Sequence, residues 1–132
     1  MTGLELAPSL EDLRAARDRV RGFAVRTPLV RWHDGPDEIW LKLETLQPVG
    51  SFKIRGARNA MALAPKEALA EGVYTASAGN MAQGVAWCAR ELGIPCGVVV
   101  PDHAPETKLA AIDRLGARGV KVPFERWWRV LQ

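Results

Sequence analysis

Only two cysteines occur among the 132 residues, Cys88 and Cys96. Two thiols cannot build the disulfide framework of a small secreted domain, and these are spaced too widely for a Cys-x-x-Cys redox or zinc pair. Both are expected as reduced thiols in the core. Histidine is equally scarce: His33 and His103 stand alone, with no cluster of carboxylates beside them, so no metal site is expected. No apolar run approaches the roughly 20 residues that cross a bilayer. The opening Met1-Thr2-Gly3-Leu4-Glu5 lacks the basic and apolar regions of a signal peptide. A cytoplasmic protein with no membrane role is therefore expected. A block of Lys and Arg is missing too. The net charge is +3, but acidic residues are mixed in along the whole chain, which argues against a nucleic-acid partner.

What is present is a globular composition, 48% hydrophobic and 25% charged, in a chain the size of one ordinary domain. Ser9 followed by Asp12 forms a capping-box pattern. Leu10, Leu13, Ala16 and Val20 then give a helical stripe that Gly22 ends. Leu29 to Trp32 and Ile39 to Leu43 read as short strands, and the turn signal His33-Asp34-Gly35-Pro36-Asp37 between them predicts a hairpin. A helix is expected to open at Ser51, with Ala57, Ala60, Met61 and Ala64 on one face before Pro65.

From Gly72 the pattern becomes β-α-β-α-β: strand Val73 to Ala76, helix Met81 to Leu92, strand Gly97 to Val100, helix Pro105 to Leu115 and strand Gly119 to Val122. Gly93 and Gly116 suit helix C-termini, and Pro105 suits a first helical position. Such alternation implies a parallel sheet with right-handed crossovers and helices on its faces. Glu125 to Gln132 then begins another helix, carrying Trp127 and Trp128, that leads into no further strand. The α/β fold is accordingly expected to be incomplete at the C-terminus.

Two places carry chemistry. Lys53 lies between Phe52 and Ile54 in the first turn after Pro48-Val49-Gly50-Ser51. Apolar neighbours and the positive end of a helix both favour the neutral, nucleophilic form of an amine, as Schiff-base chemistry requires. An ordinary lysine with a solvated amine is the plain alternative. The second place is Ser77-Ala78-Gly79-Asn80-Met81, a small polar turn from a strand into a helix. Free N–H groups at such a turn can bind an anion, for instance an amino-acid carboxylate. Its plain alternative is that Ser77 or Asn80 only caps the helix.

The order of motifs is more specific than either place alone. It runs through Thr27-Pro28-Leu29, Leu41-Lys42-Leu43-Glu44 and Gln47-Pro48-Val49-Gly50-Ser51-Phe52-Lys53-Ile54-Arg55-Gly56-Ala57. It continues through Ser77-Ala78-Gly79-Asn80-Met81-Ala82-Gln83-Gly84-Val85-Ala86, Val98-Val99-Val100-Pro101 and Lys108 to Gly116. This resembles the pyridoxal-phosphate enzymes of the tryptophan synthase β fold, and among them the threonine/serine dehydratases.

The resemblance implies a parallel three-layer α/β sheet, with residues 1–70 forming the N-terminal part of the large cofactor domain and 71–132 most of the small domain. It implies pyridoxal 5'-phosphate carried on Lys53, with Phe52 beside the ring and Asn80 on the 3-hydroxyl. Ser51, Ser77, Ala78, Gly79, Asn80 and Met81 would surround the substrate, the loop gripping its carboxylate. Its implied reaction is α,β-elimination of threonine or serine to a 2-oxo acid and ammonia, in a protein that is a homo-oligomer when complete.

Single residues narrow the choice. Cysteine synthases resemble Val-Lys-Asp-Arg where this chain has Phe52-Lys53-Ile54-Arg55. Serine racemases resemble a Ser-Ser-Gly-Asn-His loop whose second serine moves a proton, and here that position is Ala78. Met81 replaces the histidine common after the asparagine, a thioether in place of an imidazole donor. The glycine-rich loop for the cofactor phosphate and the serine or cysteine facing the pyridine nitrogen, both implied further downstream, are not among these residues. The chain is thus expected to have little activity alone. Two other readings stay open: a non-catalytic α/β module that binds an amino acid, and a decayed, truncated product.

Overall fold

A computed structural model describes residues 7–33 and 35–130. Helix α1, Leu10–Val20, opens on the expected capping box: the Asp12 N–H donates to Ser9 Oγ (3.1 Å) and the Ser9 N–H to Asp12 Oδ2 (2.9 Å). Strands β1, Leu29–Trp32, and β2, Ile39–Lys42, pair antiparallel with Leu29 opposite Lys42 and Trp32 opposite Ile39. Asp34 of the expected turn lies outside the described residues.

A 3-10 turn over Glu44–Leu46 leads to α2, Lys53–Leu63. This helix starts two residues later than the sequence pattern predicts, because Gly50 takes a left-handed conformation (φ 67) and Ser51 stands outside, accepting the Lys53 N–H at its hydroxyl (3.4 Å). After Pro65 a short helix, α3, spans Lys66–Ala70. Five residues show no helical period, so the pattern gave no sign of it.

The remainder alternates as expected: β3 Val73–Ala76, α4 Asn80–Leu92, β4 Cys96–Pro101, α5 Glu106–Arg114, β5 Arg118–Val122 and α6 Phe124–Val130. The strands form a parallel sheet in the order β3-β4-β5, with Val73 beside Cys96 and Gly97 beside Arg118. Gly93 (φ 68) and Gly116 (φ 79) end α4 and α5 in the left-handed conformation that glycine adopts freely. Pro105 sits just before α5 in extended conformation rather than as its first residue. Helices α4 and α5 touch each other while packing on the strands, so they cover the same face of the sheet, and α2 packs on α4 from outside.

One apolar cluster joins these layers. Val98 and Val100 of β4, Ala82, Ala86, Cys88 and Ala89 of α4, Ile54, Ala57 and Met61 of α2, and Leu109 and Ile112 of α5 all belong to it. Ile54 is completely buried, a contribution of about 1.5–3 kcal/mol for a side chain of this size. The core is therefore continuous across residue 70. On the opposite side of the sheet, Tyr74 is 79% exposed and lays its ring over Gly97, in a shallow hollow of about 250 Å³ that Val120 also lines.

Candidate functional site

The site is built on the N-terminal ends of α2 and α4. Lys53 is the first residue of α2 and is half-buried, while Ser51 just before it is buried and Phe52 is exposed. The Lys53 amine stands 4.9 Å from the centroid of the Phe52 ring, a cation–π distance.

A polar network holds this turn from behind, and its centre is Glu44. Arg55 donates Nε to Glu44 Oε2 and Nη2 to Oε1, both at 2.8 Å, and Nη2 also reaches the Val25 carbonyl at 2.8 Å. Thr27 Oγ1 donates to Glu44 Oε1 (2.5 Å) and Gln47 Nε2 to Oε2 (3.2 Å). Gln47 also bonds both the N–H and the carbonyl of Val25, at 2.9 and 2.8 Å, and Lys42 Nζ donates to the Thr27 carbonyl. Hydrogen bonds to Arg55, Thr27 and Gln47 outweigh burial and hold the Glu44 carboxyl down at about 2. The 3-10 turn, the 25–27 segment and the start of α2 are thereby fastened together. Sequence reasoning gave Glu44, Arg55, Gln47 and Thr27 no role, since the partners lie far apart in the chain and no periodicity links them.

At the second place, α4 begins at Asn80, with Gly79 in the cap position and no side-chain cap. The Ser77 hydroxyl accepts the Gly79 N–H (3.2 Å), closing a local turn, and the Ser77 N–H donates to the Val99 carbonyl (3.2 Å). Neither Ser77 nor Asn80 caps the helix. The first ladder bond runs from the Gln83 N–H to the Gly79 carbonyl (3.3 Å), so the N–H groups of Asn80, Met81 and Ala82 project from an open helix end, where an anion is favoured. Ser77, Ala78, Gly79 and Met81 are half-buried, Asn80 is exposed, and Ala78 and Met81 pack against the core. The Val99 carbonyl also accepts the indole N–H of Trp127 (3.1 Å), which ties α6 to the strand beside the turn.

The two places meet through the α2–α4 contact. Gly84, one turn into α4, lies against the main chain of Lys53 and Ile54. No described helix is long and apolar enough to cross a membrane, and the described residues contain no group of three His, Cys, Asp or Glu that could hold a metal.

Lys53, half-buried at the start of α2, and the open N-terminal end of α4 thus stand on two helices of an α/β protein that pack directly on each other. Residues 20–128 match the family model described as pyridoxal-phosphate dependent enzyme, and the chain belongs to that family. An L-threonine ammonia-lyase from Geobacter sulfurreducens is 46% identical over 112 residues, covering 82% of this chain and 28% of that protein. Among solved structures, maize serine racemase superposes with a TM-score of 0.85 at 31% identity, covering 94% of this chain and 40% of the other. A threonine deaminase from T.th. superposes with a TM-score of 0.83 at 38% identity, covering 93% and 40%. The parallel α/β fold expected from the motifs is thus that of the family, represented in part: the chain spans well under half the length of these relatives. Pyridoxal phosphate is the family's cofactor.

Proposed function

We propose that the chain is the N-terminal part of a pyridoxal-phosphate-dependent ammonia-lyase that eliminates the α proton and β-hydroxyl of threonine or serine as water, the resulting enamine hydrolysing to a 2-oxo acid and ammonia. The observation that carries this reading is the pairing of Lys53 with the open Ser77–Met81 turn on the helix against which Lys53 packs. The residues fit the cofactor in kind: an amine with an aromatic ring beside it, and N–H groups left over for an anion.

In this reading Lys53 holds the cofactor's aldehyde and later moves the proton at the substrate's α carbon. Phe52 lies beside the ring and Asn80 bonds its 3-hydroxyl. Ser51, Ser77, Ala78, Gly79, Asn80 and Met81 surround the substrate, with the N–H groups of the turn on its carboxylate. When bound, the cofactor supplies an electron sink for the α carbon. Ala78 has no proton to give, which favours elimination over racemisation even though serine racemases are among the relatives. Residues 1–70 would then belong to the large cofactor domain and 71–132 to the small one. The remaining portion would supply the phosphate-binding loop and the contacts of a homo-oligomer.

The test is to mix the purified chain with pyridoxal phosphate, with and without a complementing C-terminal piece, and record the absorption band that borohydride collapses. The band should vanish in Lys53→Ala, and 2-oxo acid should form from threonine or serine only with the complementing piece. Amino-acid binding that Lys53→Ala leaves untouched would favour a non-catalytic module instead. A full lyase rate from the chain alone would overturn the claim that it needs the rest.

A further inference from the structure

Gly84 and Cys88 lie one turn apart on α4; Gly84 faces the peptide that joins Lys53 to Ile54, and Cys88 bonds the carbonyl of the next peptide, that of Ile54. A Cβ placed on Gly84 would stand 3.1 Å from the Lys53 carbonyl carbon, 3.2 Å from the Ile54 nitrogen and 3.4 Å from the Lys53 Cβ. The two shortest contacts are to main-chain atoms, which cannot swing aside as a flexible side chain would. Cys88 is completely buried, and its Sγ donates to the Ile54 carbonyl at 3.7 Å. Burial pushes its thiol up to about 11, so the S–H keeps the proton it donates.

Helix propensity gives no reason for glycine here, since glycine in a helix interior costs about 0.5–1 kcal/mol relative to alanine. Ala82, Ala86 and Ala89 occupy neighbouring buried positions on the same helix. What distinguishes position 84 is the approach of the Lys53 main chain. The far side of that turn is fixed by Arg55 on Glu44 and by the Ser51 hydroxyl. A larger residue at 84 would therefore make the Lys53–Ile54 main chain give by a few tenths of an ångström against these restraints, and the push would fall on Lys53. The same helix carries Asn80 as its first residue, one turn before Gly84.

We propose that Gly84, assisted by the Cys88 thiol, is a positioning residue for Lys53: it sets how deeply the lysine's main chain sits on α4, and so where its amine stands relative to the Ser77–Met81 turn. This rests on the role given to Lys53 above. The test treats the 132-residue chain with limiting pyridoxal phosphate. An amine condenses with the aldehyde and loses water, and borohydride then delivers hydride to the new carbon–nitrogen double bond, leaving a stable pyridoxyl amine. Peptide mapping quantifies the label on the five lysines, Lys42, Lys53, Lys66, Lys108 and Lys121.

The wild type and Gly56→Ala, whose added methyl meets nothing within 4 Å, should carry the label chiefly on Lys53. In Gly84→Ala the share on Lys53 should drop about tenfold, at a temperature where circular dichroism shows the chain folded. An undiminished Lys53 share in Gly84→Ala would overturn the positioning role while leaving the Lys53 reading intact. A wild type with no preference for Lys53 would remove that reading, and this inference with it. Should Gly84→Ala fail to fold, Cys88→Ala and Cys88→Ser decide. Loss of selectivity with alanine and recovery with serine is expected, and wild-type labelling in Cys88→Ala would sink the idea.

Discussion

Arg55 grips Glu44 edge-on, with two parallel 2.8 Å hydrogen bonds joining the fork of the guanidinium to both carboxylate oxygens. The Glu44 side chain is 17% exposed and that of Arg55 33%, so the pair is partly withdrawn from water and its geometry is of the strong bidentate kind. Arg55 lies two residues after Lys53, so the pair controls how the first turn of α2 is presented.

Replacing Glu44 by glutamine leaves Arg55 with a neutral partner that can satisfy only one arm of the fork. Glu44→Gln should cost about 2 kcal/mol of stability at neutral pH, measured by urea unfolding.

The pH dependence of that difference has a definite sign. Folding lowers the Glu44 carboxyl from an ordinary value of 4.5 to about 2. Its contribution is therefore fully present above about pH 4.5 and is lost as the pH falls through about 2. The gap in unfolding free energy between wild type and Glu44→Gln should stay flat from neutral pH down to about 4.5 and shrink toward 2. A gap that does not change with pH would show that the carboxylate charge is not what holds the turn.

Two glycines should respond in opposite directions to alanine. Gly56 sits in the helical part of α2 with open space around it, so Gly56→Ala should stabilise the chain by about 0.5–1 kcal/mol. Gly72 has φ 106, and a Cβ there would meet the Pro95 carbonyl oxygen at 2.9 Å. Gly72→Ala should destabilise by more than about 1 kcal/mol. Thermal melts of the two variants beside the wild type check both signs.

Ile54 carries the α2 side of the helix contact and is completely buried. Ile54→Ala should cost about 2–5 kcal/mol and Ile54→Val about 1 kcal/mol, the spread reporting how far α2 and α4 can close the void. Both values follow from chemical denaturation.

The thiols give an independent measure of folding. Cys88 is buried with its thiol raised to about 11, and burial raises Cys96 as well. Alkylation by iodoacetamide at mildly alkaline pH should be about a hundredfold slower in the folded chain than in urea, with mass spectrometry reading each cysteine. Rapid modification of Cys88 without denaturant would mean that α2 and α4 separate readily.

The sequence made legible whatever is local. The Ser9–Asp12 capping box, the glycines ending α4 and α5, and the alternation from Val73 to Val122 follow from short-range rules, and the structure has them with ends shifted by a residue or two. The Glu44 network was not legible, because Val25, Thr27, Glu44, Gln47 and Arg55 meet only after the chain folds back on itself. The special position of Gly84 was hidden for the same reason: a glycine within a helical pattern says that something approaches, but not what. The open turn at Ser77 to Met81 was read from its composition. That Gly79 rather than a side chain stands in the cap position had to come from the backbone.

The order of the strands in the parallel sheet bears on how the chain reaches this structure. Each pairing, β3 with β4 and β4 with β5, joins neighbours separated by a single helix. Each pairing closes one crossover through a helix, as between Val73 and Cys96 or Gly97 and Arg118, so it is slower to form than a hairpin but always joins a strand to the one made just before it. Such a segment can order as it leaves the ribosome, each strand docking on the one before it. The Ser77–Met81 turn would then be formed while any sequence that follows is still being made.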